Sequence, residues 1–159
     1  MALSTSLANK TQSGGVIYKT NVDGGRVERH KANGDDIFLT AIVTSYGETG
    51  PDVDLCATGE AVLGVVIGTY VPYSVDLTKD SDDPFDDNQE LQVYIPNDGD
   101  WLYGTVLVAT TIVINTWVDV NGGFLIAGSR TAHIGIAREA VTAISGTTAL
   151  ILYQWDKGL

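Results

Sequence analysis

The sequence predicts an all-β fold: a compact antiparallel β-sandwich or small β-barrel with a flexible N-terminal arm and at most one short helix. Three observations carry that expectation. Short runs rich in Val, Ile, Thr, Tyr and Trp recur along the chain, and these residue types favour pleated strands. Turn signals built of Gly, Asn and Asp separate the runs about every ten residues, the rhythm of a sandwich or barrel. No segment reads as the crossover helix that a parallel α/β sheet requires.

Residues 1–15 are rich in Ser, Thr, Ala, Asn and Gly, show no hydrophobic period and end in Ser13-Gly14-Gly15. They read as a flexible arm, with residues 16–159 as one β-rich domain. Strands are expected at Val16–Tyr18, Ile37–Thr44, Ala61–Tyr70, Leu91–Ile95, Thr105–Val113, Thr116–Val120, Phe124–Ala127, His133–Ala137 and Ala149–Trp155. Turns are expected at Asp23-Gly24-Gly25, Asn33-Gly34-Asp35, Gly47–Pro51, Asn97–Asp100, Asn121-Gly122-Gly123 and Ser145-Gly146. Asn121-Gly122-Gly123, flanked by apolar runs, is the strongest hairpin signal. Arg138–Ser145 is the one candidate for a turn of helix. The apolar region Val106–Val118 is interrupted by Thr110, Thr111, Asn115 and Thr116 and falls short of the ~20 residues of a membrane span, so it reads as strand.

The chain has 159 residues, 44 % of them hydrophobic and 18 % charged, and its 20 acids against 9 bases give a net charge of −11. Such a surface repels phosphate backbones and anionic lipid, so neither direct nucleic-acid binding nor membrane binding is expected. The charge is unevenly placed. Residues 1–31 carry Lys10, Lys19, Arg26, Arg29 and Lys31 against Asp23 and Glu28, a net of +3, which leaves −14 for the remainder.

Over half of the chain's net charge lies in Val75–Glu90, where Asp76, Asp80, Asp82, Asp83, Asp86, Asp87 and Glu90 face only Lys79. Asp80, Asp82, Asp83, Asp86 and Asp87 are oxygen donors of the kind Ca²⁺ prefers. The EF-hand pattern is not met, because Ser81 stands where its glycine is required. The segment reads as a solvated acidic loop, and no cofactor is expected.

Catalytic signatures are sparse. His30 and His133 have no metal-ligand spacing, and Cys56 is the only cysteine, which excludes an intramolecular disulfide and a Cys-rich zinc site. His30, within Arg29-His30-Lys31, is expected on an exposed basic turn, and Cys56 as a small buried hydrophobe. Asp98 and Asp100 beside Trp101 and Tyr103 offer two carboxylates near aromatic rings, but Asn97–Asp100 is first a turn sequence. An enzyme is not expected. Tyr70, Tyr73, Trp101, Tyr103, Trp117 and Trp155 exceed what one small core holds, and Tyr and Trp favour protein interfaces.

The stretch Ala132-His133-Ile134-Gly135-Ile136-Ala137-Arg138-Glu139-Ala140-Val141, with Ser145-Gly146-Thr147-Thr148-Ala149-Leu150-Ile151-Leu152, resembles the closing segment of small capsid decoration (cement) proteins of tailed bacteriophages. Thr58-Gly59-Glu60-Ala61-Val62-Leu63-Gly64-Val65-Val66 is similar to that family's strand entry. The sequence departs from the family in its length, its charged arm and the acidic Val75–Glu90 insertion. The resemblance implies a structural virion protein, made in the host cytoplasm, that binds the outer surface of an expanded icosahedral capsid. It would stabilise contacts between major capsid protein subunits, with neighbouring copies forming a trimer at three-fold or quasi-three-fold positions. The arm and the basic stretch then supply candidate capsid contacts: Ala2, Leu3, Ser4, Leu7, Lys10, Lys19, Arg26, Arg29 and Lys31. The alternative is a carbohydrate-binding or adhesive β-sandwich, with Trp101, Tyr103 and Trp117 as stacking platforms and the acidic loop holding Ca²⁺.

Overall fold

The structure, a computed structural model, describes residues 15–20, 25–47, 50–70, 81–142 and 148–157. The fold is all-β, as the sequence predicts. Its strands are β1 (Ile17–Lys19), β2 (Arg26–Ala32), β3 (Ile42–Ser45), β4 (Asp52–Leu55), β5 (Gly64–Thr69), β6 (Glu90–Ile95), β7 (Trp101–Val106), β8 (Trp117–Asn121), β9 (Phe124–Ala127), β10 (Gly135–Ala137) and β11 (Ala149–Trp155).

They form two sheets. The first runs β1-β7-β11-β10-β8-β9, and β9 pairs back onto the end of β7 through Val106 and Leu125. The second is a closed barrel in the order β2-β4-β3-β5-β6. Pairing is antiparallel except at β7–β9 and β2–β4, two short parallel contacts that bring each sheet round on itself. Closure removes the unpaired backbone edges that make open sheets prone to aggregation. β11 is flanked by β7 and β10, and its apolar run Ala149–Tyr153 is mostly buried, as a strand covered on both faces requires.

The two sheets are joined through the β8–β9 hairpin. Gly122 and Gly123 both have positive φ, +58° and +82°, the geometry of a type I′ turn that matches strand twist. The Gly123 N–H donates to the Cys56 carbonyl at 3.0 Å, and its own carbonyl accepts from the Ile42 N–H at 3.1 Å. The tip of one sheet's hairpin thus bonds directly to the β3 and β4 region of the barrel. Thr58 Oγ1 adds a bond to the Val120 carbonyl at 2.7 Å. Between the sheets, Ile37–Ala41 forms a wholly buried wedge. Its Phe38 ring packs 4.5 Å from Phe124, and Thr40 Oγ1 shares a buried 2.6 Å bond with Thr105 Oγ1. One buried apolar cluster runs through both sheets.

Several boundaries differ from the sequence reading. Ile37–Thr44 is strand only from Ile42, because Thr40 adopts φ +83° and breaks the extended path. The Ala61–Tyr70 strand begins at Gly64, and the His133–Ala137 strand at Gly135. The Thr105–Val113 strand is Trp101–Val106, and Val106–Val118 is largely loop, since Ala109 and Asn115 take left-handed conformations. No helical turn occupies the described part of Arg138–Ser145, where Val141 instead bridges to Ile112. Strand β2 escapes prediction because RVERHKA carries only Val27 and Ala32 as apolar residues, and β4 because DVDL, although it alternates, is only four residues long.

Gly123→Ala is expected to lower unfolding stability by ~2 kcal/mol or more: a left-handed alanine costs ~1–2 kcal/mol, and its Cβ would lie 2.7 Å from Leu55 Cδ2. Gly122→Ala, with nothing within 4 Å of its Cβ, pays only the backbone term. Urea denaturation of the two variants separates the seam from the turn.

Candidate functional site

The basic residues singled out in the sequence fall in two places. Arg26, Arg29 and Lys31 lie on β2, paired antiparallel with β6 from Arg26–Ile95 to Lys31–Glu90. Arg26 Nε holds Glu28 Oε2 at 2.9 Å, Arg29 pairs with Glu90, and the Arg29 guanidinium sits over the Tyr70 ring at 5.7 Å. The Arg26 bond first, then that of His30, holds the Glu28 carboxyl below its usual range. β2 is therefore a zwitterionic stripe, with two of its three cations already facing carboxylates. His30 is on this strand and not on a turn. Its Nδ1 faces the Pro51 carbonyl at 2.8 Å and its Nε2 faces Glu28 Oε1 at 3.1 Å, so it ties β2 to the chain entering β4.

Lys19 lies on β1, in the other sheet, with its ammonium 4.0 Å from the centre of the Trp101 ring. Arg138 approaches the same ring at 5.5 Å, and Tyr18 stacks on it at 6.2 Å. Tyr103 is buried. Trp117 is carried on β8, separated from β7 by β11 and β10, and its ring lies 4.0 Å from that of His133. The three rings proposed as stacking platforms are thus covered by the chain's own side chains, which argues against an open sugar site. Ala2, Leu3, Ser4, Leu7 and Lys10 lie outside the described residues, as do Tyr73, Asp76 and Asp80.

Asp100 is buried and belongs to the turn between the sheets. Its carboxylate accepts from the Tyr94 hydroxyl at 2.6 Å and from the Asn97 N–H at 3.0 Å, and the Tyr94 oxygen accepts from the Gly25 N–H at 2.7 Å. Burial first, then the bond to Asp100, pushes the Tyr94 phenol up to about 12. This network fixes the start of β2 against the β6–β7 turn, where Trp101 leads to Lys19. Asp98 accepts from the Lys157 N–H at 3.2 Å. Both carboxylates hold the fold together.

The described part of the acidic segment is more tightly held than a solvated loop. Phe85 is buried and its N–H donates to the Ile37 carbonyl at 2.8 Å, while Asp87 Oδ1 accepts from the Gly34 N–H at 2.8 Å. Asp82, Asp83 and Asp86 are exposed. Among the described residues no three His, Cys, Asp or Glu side chains gather as a metal site. Cys56 is buried as expected, and burial pushes its thiol up to about 11, leaving it protonated at neutral pH. A cleft of about 480 Å³ between the sheets carries Glu60, Asp119, His133 and Lys157. The sequence reading missed one surface feature, the exposed aliphatic group Val108, Val113 and Ile114. The signal was present as a charge-free run but was read as strand.

No protein-family model matches the sequence, and no curated protein matches it. Among solved structures, the chain is similar to the head fiber gp8.5 N base of bacteriophage phi29. The match has a TM-score of 0.54 at 11 % identity, and covers 83 % of this chain and 94 % of that one. The two share a fold. At that identity the likeness extends over nearly the whole architecture without extending to individual residues.

Tyr94→Phe is expected to cost ~1–3 kcal/mol, because the buried Asp100 carboxylate and the Gly25 N–H each lose a partner. Tyr153→Phe is expected to be neutral or stabilising, since among the described residues the buried Tyr153 hydroxyl has no hydrogen-bond partner. The pH dependence follows from the raised phenol. Tyr94 contributes stability that is full below pH 10 and is lost as pH rises through about 12. Urea unfolding of Tyr94→Phe across that range should show a shallower alkaline loss.

Proposed function

We propose that this chain is a non-enzymatic structural protein of a phage virion, bound to the outer surface of the capsid, where it stabilises contacts between major capsid protein subunits. The observation that carries the reading is the fold likeness to a phage head fiber base over 83 % of the chain. The resemblance of Ala132–Val141 and Thr58–Val66 to capsid decoration proteins supports it independently from sequence. The physical character of the molecule agrees. Two sheets brought round on themselves and bolted together resist local opening, and a net charge of −11 keeps such a body soluble and off nucleic acid.

In this reading residues 2–20 contact the shell, with extended main chain adding to a sheet edge of a capsid subunit, a mode that depends little on side-chain identity. Lys19 and Lys31 give the electrostatic guidance, because Arg26 and Arg29 already face Glu28 and Glu90. Neighbouring copies cluster at three-fold or quasi-three-fold positions, and repetition over the lattice multiplies modest single-site affinity.

Co-sedimentation of the purified chain with expanded, undecorated shells tests the proposal. Saturable binding is expected, weakened at least tenfold by removal of residues 2–15 and more modestly by Lys19→Glu with Lys31→Glu. Absence of binding by the intact chain overturns it.

A further inference from the structure

His30 is one of two histidines in the chain, and the two are held differently. His133 Nδ1 faces the Ser129 carbonyl at 3.0 Å, and among the described residues its Nε2 has no hydrogen-bond partner. One ring proton, on Nδ1, satisfies that arrangement. His30 has an acceptor at each end. Its Nδ1 lies 2.8 Å from the Pro51 carbonyl and its Nε2 3.1 Å from Glu28 Oε1, with only 15 % of the side chain exposed. The bond from Arg26 first, then that of His30, holds the Glu28 carboxyl below its usual range, so it is ionised at neutral pH. A carbonyl and an ionised carboxylate only accept, so both ring nitrogens must donate, and only the imidazolium carries a proton on each.

The charges around the ring are few and already placed. Among the described residues, those on its own face of β2 are Glu28 and, beyond it, Arg26, which donates to the other Glu28 oxygen at 2.9 Å. Directly opposite His30 on β6 is the uncharged Leu91. Arg29 and Lys31 alternate to the other face of β2, where Arg29 pairs with Glu90, and Lys31 lies opposite Glu90 on β6 and Asp52 on β4. Asp54, two residues after Asp52, shares that other face, and the Asp35 and Asp36 carboxyls of the turn after β2 lie near it. Glu28 is thus the one carboxylate that the imidazole meets.

The contact sits where the barrel closes. β2 and β4 pair over two residue pairs, Lys31–Asp52 and Ala32–Val53, against six between β2 and β6. The Lys31 N–H donates to the Pro51 carbonyl at 3.1 Å and the Asn33 N–H to the Val53 carbonyl at 2.9 Å, and His30 adds a side-chain bond to the same Pro51 oxygen. We infer that His30 is a proton-dependent clip on this closing seam: as an imidazolium it ties Glu28 on β2 to Pro51 at the entry to β4, and loss of one proton frees the Pro51 end. The Glu28 end keeps its proton because a hydrogen bond to a carboxylate is charge-assisted. Nδ1 is then left with a lone pair against the lone pairs of the carbonyl, and a largely buried polar contact is unmade. The seam is firmest at lower pH, where the imidazolium is fully formed, and loosens as pH rises through the range near neutrality in which histidine ionises. The device is independent of the proposed capsid role.

The test is NMR of the full chain with nitrogen-labelled histidines between about pH 6 and about pH 8.5, with amide hydrogen exchange followed over the same range. At the low end both His30 nitrogens are expected to carry protons, and Nδ1 is expected to lose its proton as pH rises. Exchange at the Lys31 and Asn33 amides is expected to accelerate by about threefold or more relative to the β11 amides. In Glu28→Gln the side-chain amide can donate to Nε2, so a neutral ring keeps its Nδ1 proton on Pro51, and the relative acceleration is expected to vanish. The wild-type data alone overturn the inference if His30 carries a single proton at the low end, if Nε2 is the nitrogen that loses its proton, or if the exchange ratio is unchanged over the range. An undiminished acceleration in Glu28→Gln also overturns it, by placing the pH dependence outside the His30–Glu28 contact.

Discussion

Everything in this molecule depends on the tip of one hairpin being able to enter the other sheet. The β8–β9 turn needs two residues of positive φ, and the second must bring its backbone within hydrogen-bond distance of both Ile42 and Cys56. Only glycine meets both demands at once, the first because a Cβ strains the left-handed region, the second because Leu55 occupies the space a Cβ would take. Once Gly123 is seated, Phe38 can lie against Phe124 and Thr40 can meet Thr105, so two short-stranded sheets share one interior. Within the barrel, β2 contributes only Ala32 as a fully buried side chain. The Tyr94–Asp100–Gly25 network is a second fastening, at the β6–β7 crossover.

The surface follows from how the interior was fastened. Side chains that look available in the sequence are largely occupied. The β2 arginines face carboxylates, Trp101 lies under Lys19 and Arg138, Trp117 under His133, and Asp100 is a buried acceptor. Among the described residues, those left exposed include carboxylates such as Asp82, Asp83 and Asp86, and the aliphatic side chains Val108, Val113 and Ile114 of the Leu107–Thr116 loop.

Strands with β-branched runs were legible because burial on both faces imposes the apolar run that sequence reading looks for. β11 matches to the residue, and β6, β8 and β9 match within one. Asn121-Gly122-Gly123 was legible as a turn but not as the seam, since its partners Ile42 and Cys56 lie far earlier in the chain. β2 was hidden because a barrel strand with solvent on one side needs few apolar residues when its partner β6 supplies them. The Leu107–Thr116 loop was misread for the opposite reason: its aliphatic composition is that of a strand, and only the left-handed Ala109 and Asn115 turn it outward. Asp98 and Asp100 were correctly weighed as turn residues, while the tie between Asp100 and a tyrosine from the other sheet has no signature in local sequence.

The proposed capsid role is tested most directly by the ratio of this chain to the major capsid protein in purified phage particles, by quantitative mass spectrometry. The account predicts a fixed, near-stoichiometric ratio that survives extensive washing and digestion of free protein. Absence from particles, or a few copies per particle irrespective of capsid size, would contradict it.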